Sequence, residues 1–236
     1  MIAALRHRSQ ALCNYGKESF MLQVIVFDFD GTILETETPD YQSWQEIFCE
    51  HGCDLAKDLW CTYIGTASGT FDPYALLAEQ SGLTIDRLAI RTRRRRRFHE
   101  LVAQQELRPG VQSLLEAASR QGIPLAIASS STRDWVEENL ATRHLRPYFQ
   151  AVYTAADVTA VKPDPTLYLL AVQALGVQPA QALAIEDSLN GLLAAKRAGL
   201  QCVVVPHGMT QHMVFAGATA VLPSLAETTL EALLAL

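Results

Sequence analysis

The chain has 236 residues, of which 49% are hydrophobic and 19% charged. This composition excludes a disordered chain, and the 13 glycines, which follow no triplet period, exclude a collagen-like one. The formal net charge of −6 repels polyanions, so we expect no nucleic-acid partner unless a local basic patch attracts one. No apolar stretch approaches the roughly 20 residues that a membrane-spanning helix requires, so we expect no membrane insertion.

The cysteines and the first 20 residues are the features of the sequence that indicate where in the cell the protein is found. The 5 cysteines are odd in number and form no CxxC pair, which favours reduced thiols in a cytoplasmic protein. Residues 1–20 carry Arg6, Arg8 and Lys17 against the single acid Glu18. We expect this extension to be a poorly ordered tail or the product of an early start codon, with Met21 as the true start; a short targeting segment is the alternative.

Four apolar segments predict a parallel α/β core. Residues 23–29 form the first predicted strand, and residues 123–129, 182–185 and 201–205 repeat its apolar, β-branched character. Helical patterns separate these segments, which is typical of a parallel sheet flanked by helices. We assign residues 21–35 and 106–236 to this Rossmann-like core.

Residues 36–105 have a different pattern. Helical periodicity dominates in YQSWQEIFCEHG, YALLAEQSG and RTRRRRRFHELV, and no comparable strand interrupts it. The segment therefore predicts an all-helical domain inserted between the first strand and the rest of the core.

The first predicted strand ends in a pair of carboxylates, Asp28 and Asp30. The carboxyl ends of parallel strands are where open α/β sheets bind ligands, so both are candidates for catalysis. Gly31 supplies a turn, and we include Gly31 and Thr32 among the candidate phosphate-binding residues. A plain turn after a strand is the alternative interpretation.

Three further segments add groups at the same predicted edge. Ser129, Ser130 and Ser131 follow the second strand and offer hydroxyls to a phosphate oxygen, although we expect at least one of them to cap the next helix instead. Lys162 lies in VKPDP and could neutralise an anion. Glu186 and Asp187 end the strand ALAI. Carboxylates together with substrate phosphate are the usual ligands of Mg²⁺, so we predict Mg²⁺ as the cofactor.

The motifs FDFDGTILETE, IASSS, VKPDPTLY and IEDSLNG occur in the order typical of the haloacid dehalogenase superfamily. The chain resembles the phosphatase and phosphomutase branch of that superfamily, in which a helical cap is inserted after the first motif. The resemblance implies that Asp28 is the nucleophile and Asp30 the general acid/base. It implies that Ser129, with Ser130 as the fallback, binds the phosphoryl group and that Lys162 offsets its charge.

The same resemblance implies a metal site and a reaction. Asp187, assisted by Glu186, would hold Mg²⁺ together with the Asp28 carboxylate and the Asp30 main-chain carbonyl. Dehalogenases of the superfamily lack the second aspartate, so Asp30 favours phosphoryl transfer. We therefore expect a Mg²⁺-dependent phosphatase that acts on a small phosphorylated metabolite, such as a sugar phosphate or a phosphoglycolate-like compound, through an aspartyl-phosphate.

Two alternatives stay open. In β-phosphoglucomutase relatives, a histidine and an arginine-bearing run occupy places that here hold Asp40 and the run Gly65-Thr66-Ala67-Ser68-Gly69. Their loss disfavours a mutase. A catalytically idle phosphate-binding protein is the second alternative, and we expect a monomer or weak dimer.

The predicted cap should choose the substrate. Asp40 and Thr66 are its candidate binding residues, and Gly65 and Ser68 could accompany them, whereas Trp44 is favoured as a packing residue. The consecutive arginines 93–97, with Arg91, encircle a helix at about 3.6 residues per turn. We favour a solvated, partly ion-paired face; binding of a distal substrate anion, or of a nucleic acid or partner protein, are the alternatives.

Overall fold

The computed structural model describes residues 21–61, 64 and 71–236. Its sheet has six parallel strands in the order β3-β2-β1-β4-β5-β6. The strands are β1 (Val24–Phe27), β2 (Leu125–Ala128), β3 (Ala151–Tyr153), β4 (Ala182–Glu186), β5 (Gln201–Val204) and β6 (Ala220–Val221). The predicted α/β class and all four predicted strands are confirmed, whereas β3 and β6 were not predicted.

Strand β1 lies at the centre of the sheet and is buried on both faces. Ile25 and Phe27 pack into the apolar cluster on one face, and Val24 and Val26 pack into the cluster on the other. Side chains alternate between the faces of a strand, so a strand covered on both sides must be apolar at every position. Each such buried side chain contributes roughly 1.5–3 kcal/mol to folding.

Five helices cover the sheet. On one face lie α5 (Val111–Gln121), α6 (Arg133–Thr142) and α9 (Leu230–Leu234), and on the other lie α7 (Thr166–Ala174) and α8 (Leu189–Ala198). Short 3₁₀ turns occur at Arg146–Tyr148, Ala155–Asp157, Pro179–Gln181 and Leu225–Glu227. Each sheet face is thus buried by amphipathic helices, as an all-parallel sheet requires.

The segment of residues 37–103 is helical in its described part. It contains α1 (Glu37–Glu50), α2 (Lys57–Cys61), α3 (Pro73–Ser81) and α4 (Arg87–Ala103), and no strand occurs among its described residues. These helices share an apolar cluster that includes Trp44, Phe48 and Leu77. The helical content is as predicted, and the division into a core domain and a cap domain stays a prediction.

Two predictions concern the remaining parts of the chain. The N-terminal extension of residues 1–20 lies outside the described residues, so its expected disorder is not tested. Within the part of the chain that is described, no helix has both the length and the apolarity to cross a bilayer.

The topology places the candidate residues at one edge. The neighbours of β1 are β2 on one side and β4 on the other, because the chain adds β2 and β3 on one side of β1 and then crosses over to add β4 on the other side. Such a switch point opens a crevice beyond the carboxyl ends of the strands. Asp28 follows β1, Ser129 follows β2 and Asp187 follows β4.

Candidate active site

A buried lysine joins two of the predicted carboxylates. The Lys162 ammonium donates hydrogen bonds to Asp28 Oδ1 and to Glu186 Oε1, both at 2.6 Å. All three residues are buried. Burial acts to lower the pKa of Lys162, but the Asp28 and Glu186 carboxylates outweigh it and hold that pKa above its usual value. Lys162 is therefore a charged group at neutral pH.

Three carboxylates surround this single cation. Ligand atoms of Asp28, Glu186 and Asp187 lie within 4.8 Å of one another. Burial and the other two carboxylates raise the pKa of Asp28 well above its usual value, although Lys162 opposes this shift. Fully ionised, the three carboxyl groups would carry two more negative charges than Lys162 neutralises, and the raised pKa of Asp28 reflects this repulsion. A buried set of carboxylate oxygens with surplus negative charge fits a hard divalent cation such as Mg²⁺.

Glu186 is bound on both of its oxygens. Its Oε1 also accepts a hydrogen bond from the Tyr168 hydroxyl at 2.6 Å, and its Oε2 accepts from the Asp187 amide at 3.2 Å. A Cβ atom on Gly191 would lie 1.9 Å from the Glu186 carboxyl carbon, so only glycine fits there. The carboxylate is thus fixed in place by Lys162, by the Asp187 amide that follows β4, and by residues of α7 and α8.

Asp187 is held from the opposite side by His207. The imidazole Nδ1 accepts a hydrogen bond from the Met209 amide at 3.2 Å, so the ring hydrogen is assigned to Nε2, which donates to Asp187 Oδ2 at 2.9 Å. Gly31 has a φ of +78°, and a Cβ there would lie 2.2 Å from the same Asp187 oxygen. The close approach of the turn after β1 to Asp187 therefore requires glycine.

Asp30 points away from the lysine cluster. Its carboxylate accepts hydrogen bonds from Ser131 Oγ at 2.6 Å and from Trp135 Nε1 at 2.8 Å. Burial raises the pKa of Asp30, while these two donors oppose the rise. A carboxyl group that keeps its proton to higher pH is suited to act as a general acid.

The predicted hydroxyl groups differ in their environments. Ser129 is buried, and its Oγ accepts a hydrogen bond from the Ser131 amide at 3.0 Å. Ser130 is exposed and lines a cavity of about 430 Å³ beside Asp30. The Thr32 hydroxyl is buried and has no hydrogen-bond partner among the described residues. Their predicted roles in phosphate binding stay predictions, as does metal binding by the Asp30 carbonyl.

The candidates from the helical segment separate into two groups. The Asp40 carboxylate lines the same cavity and accepts a short hydrogen bond from Arg94 on α4. Trp44 is buried and packs edge-to-face on Tyr74 at 4.8 Å, which is a packing role. Thr66, Gly65 and Ser68 lie outside the described residues.

Sequence reasoning missed several residues that hold the site together. Ser131 and Trp135 bind Asp30, His207 binds Asp187, and Tyr168 binds Glu186. The sequence predicted that Ser131 offers its hydroxyl to phosphate, whereas the structure shows this hydroxyl bound to Asp30. Tyr168 lies inside a quoted motif and could have been proposed from it. No sequence signal identifies Trp135 or His207, because their contacts join segments that are far apart in the chain.

A family model described as haloacid dehalogenase-like hydrolase matches residues 25–205. The chain belongs to this family. The resemblance read from the four motifs is thereby confirmed. The match runs from the second residue of β1 to just past the end of β5 and includes every predicted catalytic and metal-binding residue.

Individual relatives extend the match to most of the chain. YhcW of Bacillus subtilis is 45% identical over 214 residues, which are 91% of this chain and 97% of YhcW. The fructose-1-phosphate phosphatase YqaB of Escherichia coli is 31% identical, and the alignment covers 77% of this chain and 95% of YqaB. These relatives support the prediction that the protein is a phosphoric monoester hydrolase.

Solved structures show the same fold. CbbY from Rhodobacter sphaeroides, crystallised with phosphate, is 35% identical to this chain and has a TM-score of 0.74. The superposition covers 90% of this chain and 99% of the CbbY chain. A mutant of CbbY, 34% identical with the same TM-score and coverage, was crystallised with xylulose-1,5-bisphosphate. The Rossmann-like core of the family is thus confirmed for this chain.

Proposed function

We propose that this hydrolase is a Mg²⁺-dependent phosphatase that cleaves small sugar phosphates through an aspartyl-phosphate on Asp28. The observation that carries the proposal is the buried cluster in which Lys162 holds Asp28 Oδ1 within reach of two further carboxylates. Burying three carboxylates around one lysine destabilises the fold, because the charges lose their hydration. This cost favours a catalytic role for the cluster over a catalytically idle protein.

In the proposed first step, Asp28 attacks the phosphorus atom of the substrate. Asp28 must be ionised to attack, and Lys162 favours that form by opposing the burial that raises the pKa of Asp28. Lys162 binds Oδ1, which leaves Oδ2 to form the new O–P bond. The bond between phosphorus and the sugar oxygen breaks, and the leaving oxygen takes a proton from Asp30. The raised pKa of Asp30 favours the protonated form that this step requires.

In the second step, water attacks the phosphorus atom of the aspartyl-phosphate. Asp30, now ionised, accepts the proton of that water, and the O–P bond to Asp28 breaks to release inorganic phosphate. The Ser131 and Trp135 donors stabilise the ionised Asp30 between the two steps. The cycle returns both aspartates to their starting states.

We assign the metal to the carboxylates of Asp28, Glu186 and Asp187. When bound, Mg²⁺ would supply positive charge to the phosphoryl oxygens. Lys162 contributes a second positive charge at Asp28, and His207 fixes the orientation of Asp187 through its Nε2 hydrogen.

The substrate class comes from the relatives. YqaB is named for fructose 1-phosphate, and the CbbY mutant was crystallised with a sugar bisphosphate. The cavity of about 430 Å³ beside Asp30 carries hydroxyl, carboxylate and guanidinium groups, which suit the hydroxyl groups of a sugar.

The test is phosphate release from a panel of sugar phosphates with Mg²⁺. We compare the wild type with Asp28→Asn and with Asp134→Asn, a matched change at an exposed aspartate of α6. The proposal predicts that Asp28→Asn lowers turnover by about 10³-fold or more. Asp134→Asn should leave turnover unchanged, and EDTA should abolish it until Mg²⁺ is returned.

Three results would contradict the proposal. Release that persists in Asp28→Asn would exclude the covalent route, and full activity in EDTA would exclude the metal. A coupled assay detects any conversion of β-glucose 1-phosphate into glucose 6-phosphate. Such conversion without release of free phosphate would favour the mutase instead.

A further inference from the structure

The arginines of α4 divide into two groups according to their partners. Five of them form ion pairs with carboxylates: Arg87 with Asp72, Arg93 with Glu50, Arg94 with Asp40, Arg96 with Glu100, and Arg97 with Glu46 and Glu100. This pairing agrees with the partly ion-paired face that the sequence favoured. Arg91 and Arg95 form no hydrogen bond or ion pair with any residue in the described part of the chain.

The two unpaired arginines lie on the same side of the helix. Residues four apart on an α-helix are neighbours on one face, so Arg91 and Arg95 present their guanidinium groups together. His99 continues this row by one more turn. All three line the cavity of about 430 Å³ that also contains Asp30.

The opposite wall of that cavity comes from the core. Ser130 and Ser131 lie there beside the proposed general acid, at the start of α6. The acids lining the cavity do not neutralise the two arginines. Asp40 is already bound to Arg94, and Asp30 is bound to Ser131 and Trp135. Burial raises the pKa of Glu37 well above its usual value, which disfavours its negative charge.

We propose that Arg91 and Arg95 bind a second phosphate group of the substrate, at the end remote from the phosphoryl group that Asp28 receives. Guanidinium groups bind phosphate oxygens in a bidentate manner, and two of them on one helix face match a dianion. The substrate class is therefore a sugar bisphosphate, and the products are a sugar monophosphate and inorganic phosphate. This inference rests on the proposed function.

The test compares matched substrates that differ only in the second phosphate. Fructose 1-phosphate is paired with fructose 1,6-bisphosphate, and glucose 1-phosphate with glucose 1,6-bisphosphate. We expect the wild type to show a kcat/KM at least about tenfold higher for the bisphosphate of the preferred pair. The double variant Arg91→Gln/Arg95→Gln should lower that ratio by about tenfold or more, mainly through KM.

The matched control is Arg93→Gln/Arg96→Gln, which removes the same charge from the same helix. Neither control residue lines the cavity beside Asp30. The ratio of bisphosphate to monophosphate kcat/KM should change less than about twofold in this control, and the melting temperatures of both double variants should be compared. Equal losses in the two double variants would overturn the inference, because they would reflect the overall charge of α4.

A binding measurement separates this inference from the proposed chemistry. Calorimetry on Asp28→Asn, with and without the Arg91→Gln/Arg95→Gln change, should show at least about tenfold weaker binding of the bisphosphate in the variant without the arginines. Unchanged binding would overturn the inference. Absence of phosphate release from every compound would instead contradict the proposed function, whereas release without any bisphosphate preference would contradict only the second-phosphate site.

Discussion

The core and α4 both contain cations paired with carboxylates, but the pairs that Lys162 forms in the core are buried and those of α4 are largely exposed to solvent. The Lys162 side chain is 4% exposed and contacts two carboxylates, whereas the Arg96 side chain is 77% exposed and has one distant partner, Glu100. A buried charge is costly unless it is paired, whereas an exposed ion pair contributes little to stability. The difference teaches that the core charges must stay paired for the fold and the chemistry, whereas the charges on α4 contribute little to stability and can therefore serve substrate binding.

The largest expected effect is on the buried network of the core. Lys162→Met leaves Asp28 and Glu186 without their shared cation, so we expect a loss of about 3–5 kcal/mol in the free energy of unfolding. Adding Glu186→Gln removes one of those unpaired charges and should recover part of the loss. Urea denaturation measures both variants.

The stability of Lys162→Met is compared with that of a variant at an exposed ion pair on α4. Arg93→Gln removes an ion pair with Glu50 whose side chains are 45% and 50% exposed, and it should change stability by no more than about 0.5 kcal/mol. If Lys162→Met were no more destabilising than Arg93→Gln, the contrast between the two regions would be wrong.

The second prediction concerns the orientation of Asp187. His207→Gln removes the aligned imidazole donor, and loss of such a partner typically weakens metal binding by about 10- to 100-fold. The Mg²⁺ concentration for half-maximal activity, and the Mg²⁺ dissociation constant measured by calorimetry, should both rise accordingly. His212→Gln, at an exposed histidine, is the matched control and should change neither value. Equal Mg²⁺ affinity in both variants would show that His207 does not position Asp187.

The third prediction concerns the contact between the two regions. Trp135 donates to Asp30 and stacks on Phe98 of α4 at a centroid distance of 5.2 Å. Trp135→Phe keeps an aromatic ring for the stack but removes the donor, so we expect kcat to fall about tenfold with little change in stability. Ser131→Ala, which removes the other side-chain donor, should have a similar effect. A normal kcat in both variants would mean that these donors do not govern Asp30.

The fourth prediction, of a small effect on stability, concerns a helix cap in the helical segment. Asp72 caps α3 by accepting from the Tyr74 and Ala75 amides and also pairs with Arg87. Burial acts to raise the pKa of Asp72, but the Arg87 side chain and these two amides together outweigh it and hold that pKa below its usual value. The contribution of Asp72 to stability is therefore present at neutral pH and is lost as pH falls through the lowered pKa.

Two variants test that assignment. Asp72→Ala should lower the free energy of unfolding by about 1 kcal/mol at pH 7, and Asp72→Asn, which can still cap the helix, should lower it less. The difference between the wild type and Asp72→Ala should shrink as pH falls below about 4. A difference that stayed constant in acid would assign the effect to something other than the Asp72 carboxylate.

The sequence predicted the parts of the fold that depend on local pattern. The long apolar strands β1, β2, β4 and β5 were predicted because both of their faces are buried. Strand β3 has three residues and β6 has two, which is too short for a periodic signal. These strands form because they pair with a strand already in the sheet, so their assignment depends on tertiary structure.

In the candidate active site, too, the features that depend on tertiary contacts could not be predicted from the sequence. Asp28, Lys162 and Asp187 could be predicted because each follows a recognisable strand or motif, and the fold brings them together. The run of arginines could not be divided from sequence, because the partners of Arg93 and Arg97 come from α1. The contacts of Trp135 with Asp30 and of His207 with Asp187 likewise depend on how distant segments pack.

The covalent role of Asp28 is the central claim, and its most direct test is acid quenching during turnover. The wild type is mixed with its best sugar phosphate and Mg²⁺, quenched within the first turnover, and digested for mass spectrometry. We predict one added phosphoryl group on Asp28, in the peptide that contains residues 24–34. Rapid phosphate release with no phosphorylated peptide, or with the group on another residue, would contradict the account.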